Sequence, residues 1–167
     1  CGKVMMDRNA PDYLRDTVAE AERDCTALIE RWHGKGRLRY TVTPRFAPTS
    51  TPEQLALAGA LYSSRPDLHV QSHLAENPDE IAWVESLFPH CHDYMDVYMR
   101  YGLAGPRTIY GHCIHLSPRE IGEMADTGSA AAFCPTSNLF LGSGFFNHPA
   151  AAEAGIRVGL ATVVGGG

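Results

Sequence analysis

The sequence predicts an α/β fold with a parallel sheet, patterned like part of a (β/α)8 barrel. Three observations carry this. Six short apolar runs alternate with amphipathic segments, and repeated strand–helix–strand order gives a parallel sheet with helical crossovers. Three of the amphipathic segments open on capping-box grammar with proline in the first turn, which fixes where helices begin. The length, 167 residues, is room for about one domain, whereas eight strand–helix units need about 250 residues. Six strands also fit an open doubly wound sheet, so both architectures stand at this point.

Taken in order, the predicted strands cover 3–6, 38–43, 68–72, 108–110, 129–134 and 156–161. Between the first two, Val18, Ala21, Cys25, Leu28, Ile29 and Trp32 recur at helical spacing, and Gly34 follows as a stop. The proline-capped starts are Thr51-Pro52-Glu53-Gln54, Asn77-Pro78-Asp79-Glu80 and Ser117-Pro118-Arg119-Glu120. The second continues on Ile81, Val84 and Leu87, the third on Ile121, Met124 and Ala125 to Gly128. Short helices are predicted over 94–100 and 149–154, the latter closed by Gly155. No linker or repeat divides the chain, so residues 1–167 form one unit, with Gly165, Gly166 and Gly167 as a trailing loop.

The net charge of −5 comes with no basic block, which sets aside nucleic-acid wrapping and membrane-surface attachment. No apolar run approaches the roughly 18 residues of a membrane span. Five cysteines, at 1, 25, 91, 113 and 134, are odd in number and show no CxxC. They read as reduced thiols of a cytoplasmic protein. The start at Cys1 reads as a piece of a longer chain.

Reactive groups in parallel α/β folds gather at the carboxyl ends of strands. That rule reduces eight histidines to two. His73 and Glu76 emerge together just before the Asn77 cap, and His112 stands where Thr108-Ile109-Tyr110-Gly111 hands over to a loop. Two imidazoles on neighbouring strand tops can share a zinc ion, and a carboxylate nearby can move protons for its water. A single strand-end histidine is more often a hydrogen-bonded core or loop residue. Two of them with a glutamate three residues on bring the metal reading level with that one.

Other features read more plainly. His90-Cys91-His92 beside Pro89 reads as a solvated turn, and Cys113 with His115 is poorly placed for thiol chemistry. Gly142-Ser143-Gly144 is not a nucleophile elbow, and no phosphate-binding glycine pattern occurs. Arg45 and Phe46 close a strand as a guanidinium beside an aromatic ring. The pair could grip a flat heterocycle, but composition alone favours the plainer reading, in which Arg45 faces solvent and Phe46 packs under its loop.

These runs together resemble the amidohydrolase superfamily, and within it the guanine deaminases. The matching stretches are Gly2-Lys3-Val4-Met5-Met6-Asp7, Val42-Thr43-Pro44-Arg45-Phe46 and Gln71-Ser72-His73-Leu74-Ala75-Glu76-Asn77. They continue with Gly111-His112-Cys113, Cys134-Pro135-Thr136-Ser137-Asn138-Leu139 and Gly159-Leu160-Ala161-Thr162. The resemblance implies an incomplete (β/α)8 TIM barrel of the amidohydrolase type, covering about strands 3 to 8. It implies one zinc, with iron as an alternative, held by His73 and His112 on the fifth and sixth barrel strands. Glu76 matches the proton shuttle and counts with His112 as catalytic. Arg45 and Phe46 match purine-pocket residues. Guanine is then the small-molecule substrate, with xanthine and ammonia as products, and the full-length protein is expected to be a homodimer.

Two departures matter. The family's first-strand His-x-His pair has no counterpart here. Its eighth strand ends in Gly-x-Thr-Asp, whereas this chain reads Ala161-Thr162-Val163-Val164, so Val163 stands where a ligating carboxylate is expected. A valine has no lone pair to offer, and the expectation is that this chain alone binds zinc weakly and is inactive. The alternatives are a non-catalytic purine-binding relative, or an aminohydrolase acting on another aminopurine, a pyrimidine or a triazine.

Overall fold

Proline and capping residues fix the helix starts. Residues 1–163 are described in the computed structural model of the chain; Val164 and the glycines 165, 166 and 167, expected as a loop, lie outside the described residues. Asn77 and Ser117 each close a full capping box with the glutamate three residues on, opening α3 (Pro78–Leu87) and α5 (Pro118–Thr127). Thr51 caps α2 (Pro52–Ser63), but only by half a box. The Gln54 side chain instead accepts from the Ser50 hydroxyl and donates to Asp16. A third full box, Thr17 with Glu20, opens α1 (Val18–Trp32), whose cap the apolar spacing did not predict.

Between these lie strands β1 (Val4–Met5), β2 (Thr41–Pro44), β3 (His69–Leu74), β4 (Thr108–His112), β5 (Ala130–Phe133) and β6 (Val158–Leu160). All five pairings are parallel, and the strands lie side by side in chain order. A doubly wound sheet reverses its strand order midway; this sheet does not. The six strands are an arc of a (β/α)8 barrel, with the helices on one face.

Helices α4 (Tyr94–Arg100) and α7 (His148–Glu153) sit where sequence placed them, within a residue. Helix α6 (Pro135–Phe140) was not foreseen, because six residues are too few to show helical periodicity. Leu38 leaves the predicted second strand: it is exposed and closes a turn with Gly34 and Lys35. Trp32 also leaves the apolar face of α1. It is 45% exposed and carries the Arg31 and Lys35 cations over its ring. Gly128 ends α5 in a left-handed cap at φ 70°, a conformation that costs other residues more.

The core lies between sheet and helices. Val42, Val70, Leu74, Tyr110 and Ala131 point from the strands toward Cys25, Leu55, Ala58 and Met124 of the helices, and all are buried. Tyr94, Tyr98 and Tyr110 stack in series, with centroids 5.6 and 5.0 Å apart, and join α4 to β4. At Gly59 a side chain would place Cβ 1.9 Å from the Tyr101 carbonyl oxygen, so α2 and the end of α4 meet at a contact only glycine permits. The opposite, concave face carries Gln71 and the 42%-exposed Ile109, the inward positions of a barrel strand.

Candidate active site

β3 and β4 run two residues further than their apolar patterns predict, and those extra residues bring the chemistry. On β3 the alternation sends Val70, Ser72 and Leu74 toward the helices and leaves Gln71 and His73 on the concave face. His112 pairs with Leu74 in the register, so strict alternation would turn it to the helices as well. A positive φ of 70° at His112, followed by 52° at Cys113, breaks the alternation. The imidazole then lies beside His73, with ring centroids 5.3 Å apart and planes 25° from parallel. Residues with side chains seldom adopt such backbone angles, and those that do concentrate at functional sites. The strained corner is pinned by Cys113 N–H donating to the Leu74 carbonyl at 2.9 Å and by Ile114 and His115 N–H groups both reaching Ala75.

Each histidine spends one nitrogen on the protein. His73 Nδ1 lies 2.6 Å from the Arg45 carbonyl oxygen, and His112 Nδ1 lies 2.8 Å from Asn138 Oδ1. Both rings therefore keep Nε2, which makes no hydrogen bond among the described residues. Metal-binding histidines are held in this way, with one nitrogen fixed by an outer partner. Burial pushes His73 below its usual pKa, partly opposed by the contact to the Arg45 carbonyl, so the neutral, lone-pair-bearing ring is favoured.

Glu76 sits 3.5 Å from His112 Nδ1, carboxylate to imidazole. Its loop is fixed by Glu80, which accepts from the Glu76 and Asn77 N–H groups and from the Tyr94 hydroxyl. The Ser143 hydroxyl donates to Glu76 at 3.3 Å.

His73 and His112 line a cavity of about 580 Å³ on the concave face, together with Arg45, Cys134 and Val163. Phe46 and Glu76 line a neighbouring cleft of about 400 Å³ with Trp83. Arg45 is exposed, its guanidinium 4.4 Å over the Phe46 ring, and it makes no ion pair among the described residues. Phe46 is half-buried and meets both His73 and Trp83 edge-on at 6.1 Å. Val163 lies at the cavity after β6 with φ 49°. Thus Arg45, His73, His112 and Val163 share one space, and Phe46 and Glu76 flank it.

Two other features fall away. Burial holds the Cys113 thiol protonated and well above its usual pKa. His90 and His92 are exposed on a turn. Among the described residues no cluster of three His, Cys, Asp or Glu side chains is placed to hold a metal. Two residues that sequence reasoning gave no role do touch the site: Asn138 and Ser143. The signal for Asn138 was its place in the matching run from Cys134 to Leu139, whereas Ser143 appeared only in Gly142-Ser143-Gly144, which is no nucleophile elbow.

Comparison with known proteins bears on the family and the fold. The family model described as "Amidohydrolase family" matches residues 1–163. Guanine deaminase of Escherichia coli strain K12 is 54% identical over 166 residues, which is 99% of this chain and 38% of that protein. Its solved structure superposes with a TM-score of 0.98, covering 99% of this chain and 39% of that one. Guanine deaminase from C. acetobutylicum, solved with guanine bound in its active site, superposes with a TM-score of 0.93 at 38% identity, covering 97% and 39%. The chain therefore spans well under half the length of the relatives it matches. With that model matched across all the described residues and the barrel arc shared with these structures, the chain belongs to the amidohydrolase family.

Proposed function

We propose that the chain is a segment, about barrel strands three to eight, of a metal-dependent guanine deaminase: guanine plus water gives xanthine plus ammonia. The observation that carries this is the stacked pair His73 and His112, each with Nδ1 engaged and Nε2 open, with Glu76 beside the second ring.

Zinc, or iron, fits two of the donors present, His73 and His112 through Nε2, but catalytic zinc keeps three protein ligands and Val163 supplies none. When bound, such an ion supplies a water acidic enough to lose a proton near neutral pH. The chain's own groups do the rest. Glu76 takes one proton from the attacking water and gives it to the ring nitrogen, then takes the second from the hydroxyl added to the ring carbon and gives it to the departing amine. Arg45 donates hydrogen bonds to the purine edge, and Phe46 covers the ring face, held edge-on by His73 and Trp83.

Val163 favours a second reading, a relative that binds a purine without converting it. One experiment separates the two. The chain replaces the matching segment of the E. coli relative, giving a complete barrel, with Val163 kept or changed to Asp. Xanthine release is followed with guanine, other aminopurines, aminopyrimidines and aminotriazines. The deaminase reading expects the Val163→Asp barrel to convert guanine in preference to the others, the Val163 barrel to be at least tenfold slower, and the isolated chain to be inactive. Guanine binding without conversion in both barrels would establish the second reading.

A further inference from the structure

The two groups that the proposed reaction needs most closely placed, His112 and Glu76, are held from one short stretch outside both of their strands. α6 starts at the top of β5 on Pro135, and its fourth residue, Asn138, is 1% exposed. Asn138 Oδ1 lies 2.8 Å from His112 Nδ1. An amide oxygen only accepts, so this contact places the ring proton on Nδ1 and leaves the lone pair on Nε2.

The chain then turns back. Ser143 N–H donates to the Asn138 carbonyl at 2.9 Å, and the Ser143 hydroxyl reaches Glu76. From outside, His115 Nε2 lies 2.8 Å from the Ser143 carbonyl oxygen. Gly144, at φ 128°, passes so near Ile114 that a Cβ there would lie 3.2 Å from its Cγ2. The turn is clamped on both sides.

The other end of Asn138 argues against a purely structural amide. Its Nδ2 is buried and meets no acceptor among the described residues. Burying an unpaired donor is unfavourable, and a leucine of similar size would avoid it. What the amide provides, and leucine would not, is an acceptor 2.8 Å from His112 Nδ1, nearer than the Glu76 carboxylate at 3.5 Å.

We infer that Asn138 and Ser143 are a positioning pair: Asn138 holds His112 as the Nδ1–H tautomer with Nε2 open, and Ser143 holds Glu76 against that ring. The assignment rests on reading His112 and Glu76 as the reactive groups, but its first test does not need activity. In the metal-free complete barrel, the ¹⁵N shifts of the His112 ring, assigned with His112→Gln, report which nitrogen carries the proton. The proton is expected on Nδ1 in the unsubstituted ring pair and in Asn138→Asp, which keeps an acceptor, and spread over both nitrogens in Asn138→Ala. In the Val163→Asp barrel, Asn138→Ala is expected to lower kcat by about 10–100-fold with KM within threefold, and Asn138→Asp to recover part of that loss. Ser143→Ala is expected to lower kcat several-fold with no change in the His112 shifts. A proton on Nε2 in the starting protein overturns the inference even if Asn138→Ala does not fold, as does an Asn138→Ala protein with unchanged shifts and kcat. Absence of guanine conversion by every barrel would instead sink the deaminase reading and leave the tautomer result standing.

Discussion

The Tyr98 hydroxyl donates to the main-chain carbonyl of His73 at 2.7 Å. The same oxygen accepts from Ala47 N–H at 3.1 Å and lies 2.8 Å from the Ser72 hydroxyl. One fully buried phenol thus ties α4 to the tops of β2 and β3, just where His73 leaves its strand. Burial pushes that phenol far above its ordinary pKa, so it stays a donor at any working pH.

Tyr98→Phe leaves a buried N–H and a buried carbonyl short of a partner while keeping the ring stack. The complete barrel is expected to lose about 1–3 kcal/mol of stability in urea unfolding. It is also expected to bind zinc more weakly, because His73 is no longer held from behind. An unchanged zinc affinity would mean that the hydroxyl serves packing alone.

Val163→Asp has two expected consequences in the complete barrel. A β-branched side chain at φ 49° is strained, and aspartate tolerates that region better. Stability is therefore expected to rise, by about 1 kcal/mol or less. Zinc affinity, measured by competition with a chelator, is expected to rise at least tenfold, about 1.4 kcal/mol. If affinity does not change, the side chain at this position does not reach the ion.

Arg45→Ala removes the guanidinium at the rim of the histidine cavity. KM for guanine is expected to rise about tenfold or more in steady-state assays of the Val163→Asp barrel, with kcat altered less, since the group binds the ring rather than moving protons. Guanine kinetics that match the parent would remove Arg45 from the pocket.

Glu80 gives a pH dependence with a definite sign. Burial raises its pKa above the usual 4.5, against the hydrogen bonds from Tyr94, Glu76 and Asn77. The folded state then holds this proton more tightly than the unfolded state. The stabilisation is full at low pH and is lost as pH rises from about 4.5 through the raised folded value. Urea unfolding of the barrel and of its Glu80→Gln variant, compared across that range, is expected to show the parent losing ground to the variant as pH increases. A gap that moves the other way would mean that the hydrogen bonds outweigh burial.

Much of this architecture was legible in advance because it rests on local rules. Alternating apolar runs located all six strands, and proline-led caps located α2, α3 and α5. The strand-end rule picked out His73 and His112 from eight histidines. What escaped depends on geometry that no short window encodes. Periodicity places His112 on the helix side, and only its left-handed backbone brings it to His73. Asn138 sits 26 positions from the ring it touches and Ser143 67 from the carboxylate. The glutamate three after Thr17 carries the same capping signal as the proline-led starts but without the proline that marks them. Arg45 is exposed over the half-buried Phe46 ring, as the plainer reading expects, and a grip on a heterocycle belongs to the proposed function.

The outermost strands are the briefest: β1 has two residues and β6 three, while β3 and β4 have six and five at the centre. Amide protons at the margins should therefore exchange with solvent soonest, and those linking the two middle strands should persist longest. His73 and His112 thus ride on the seam that parts last, and their mutual spacing will outlive the fraying of everything to either side.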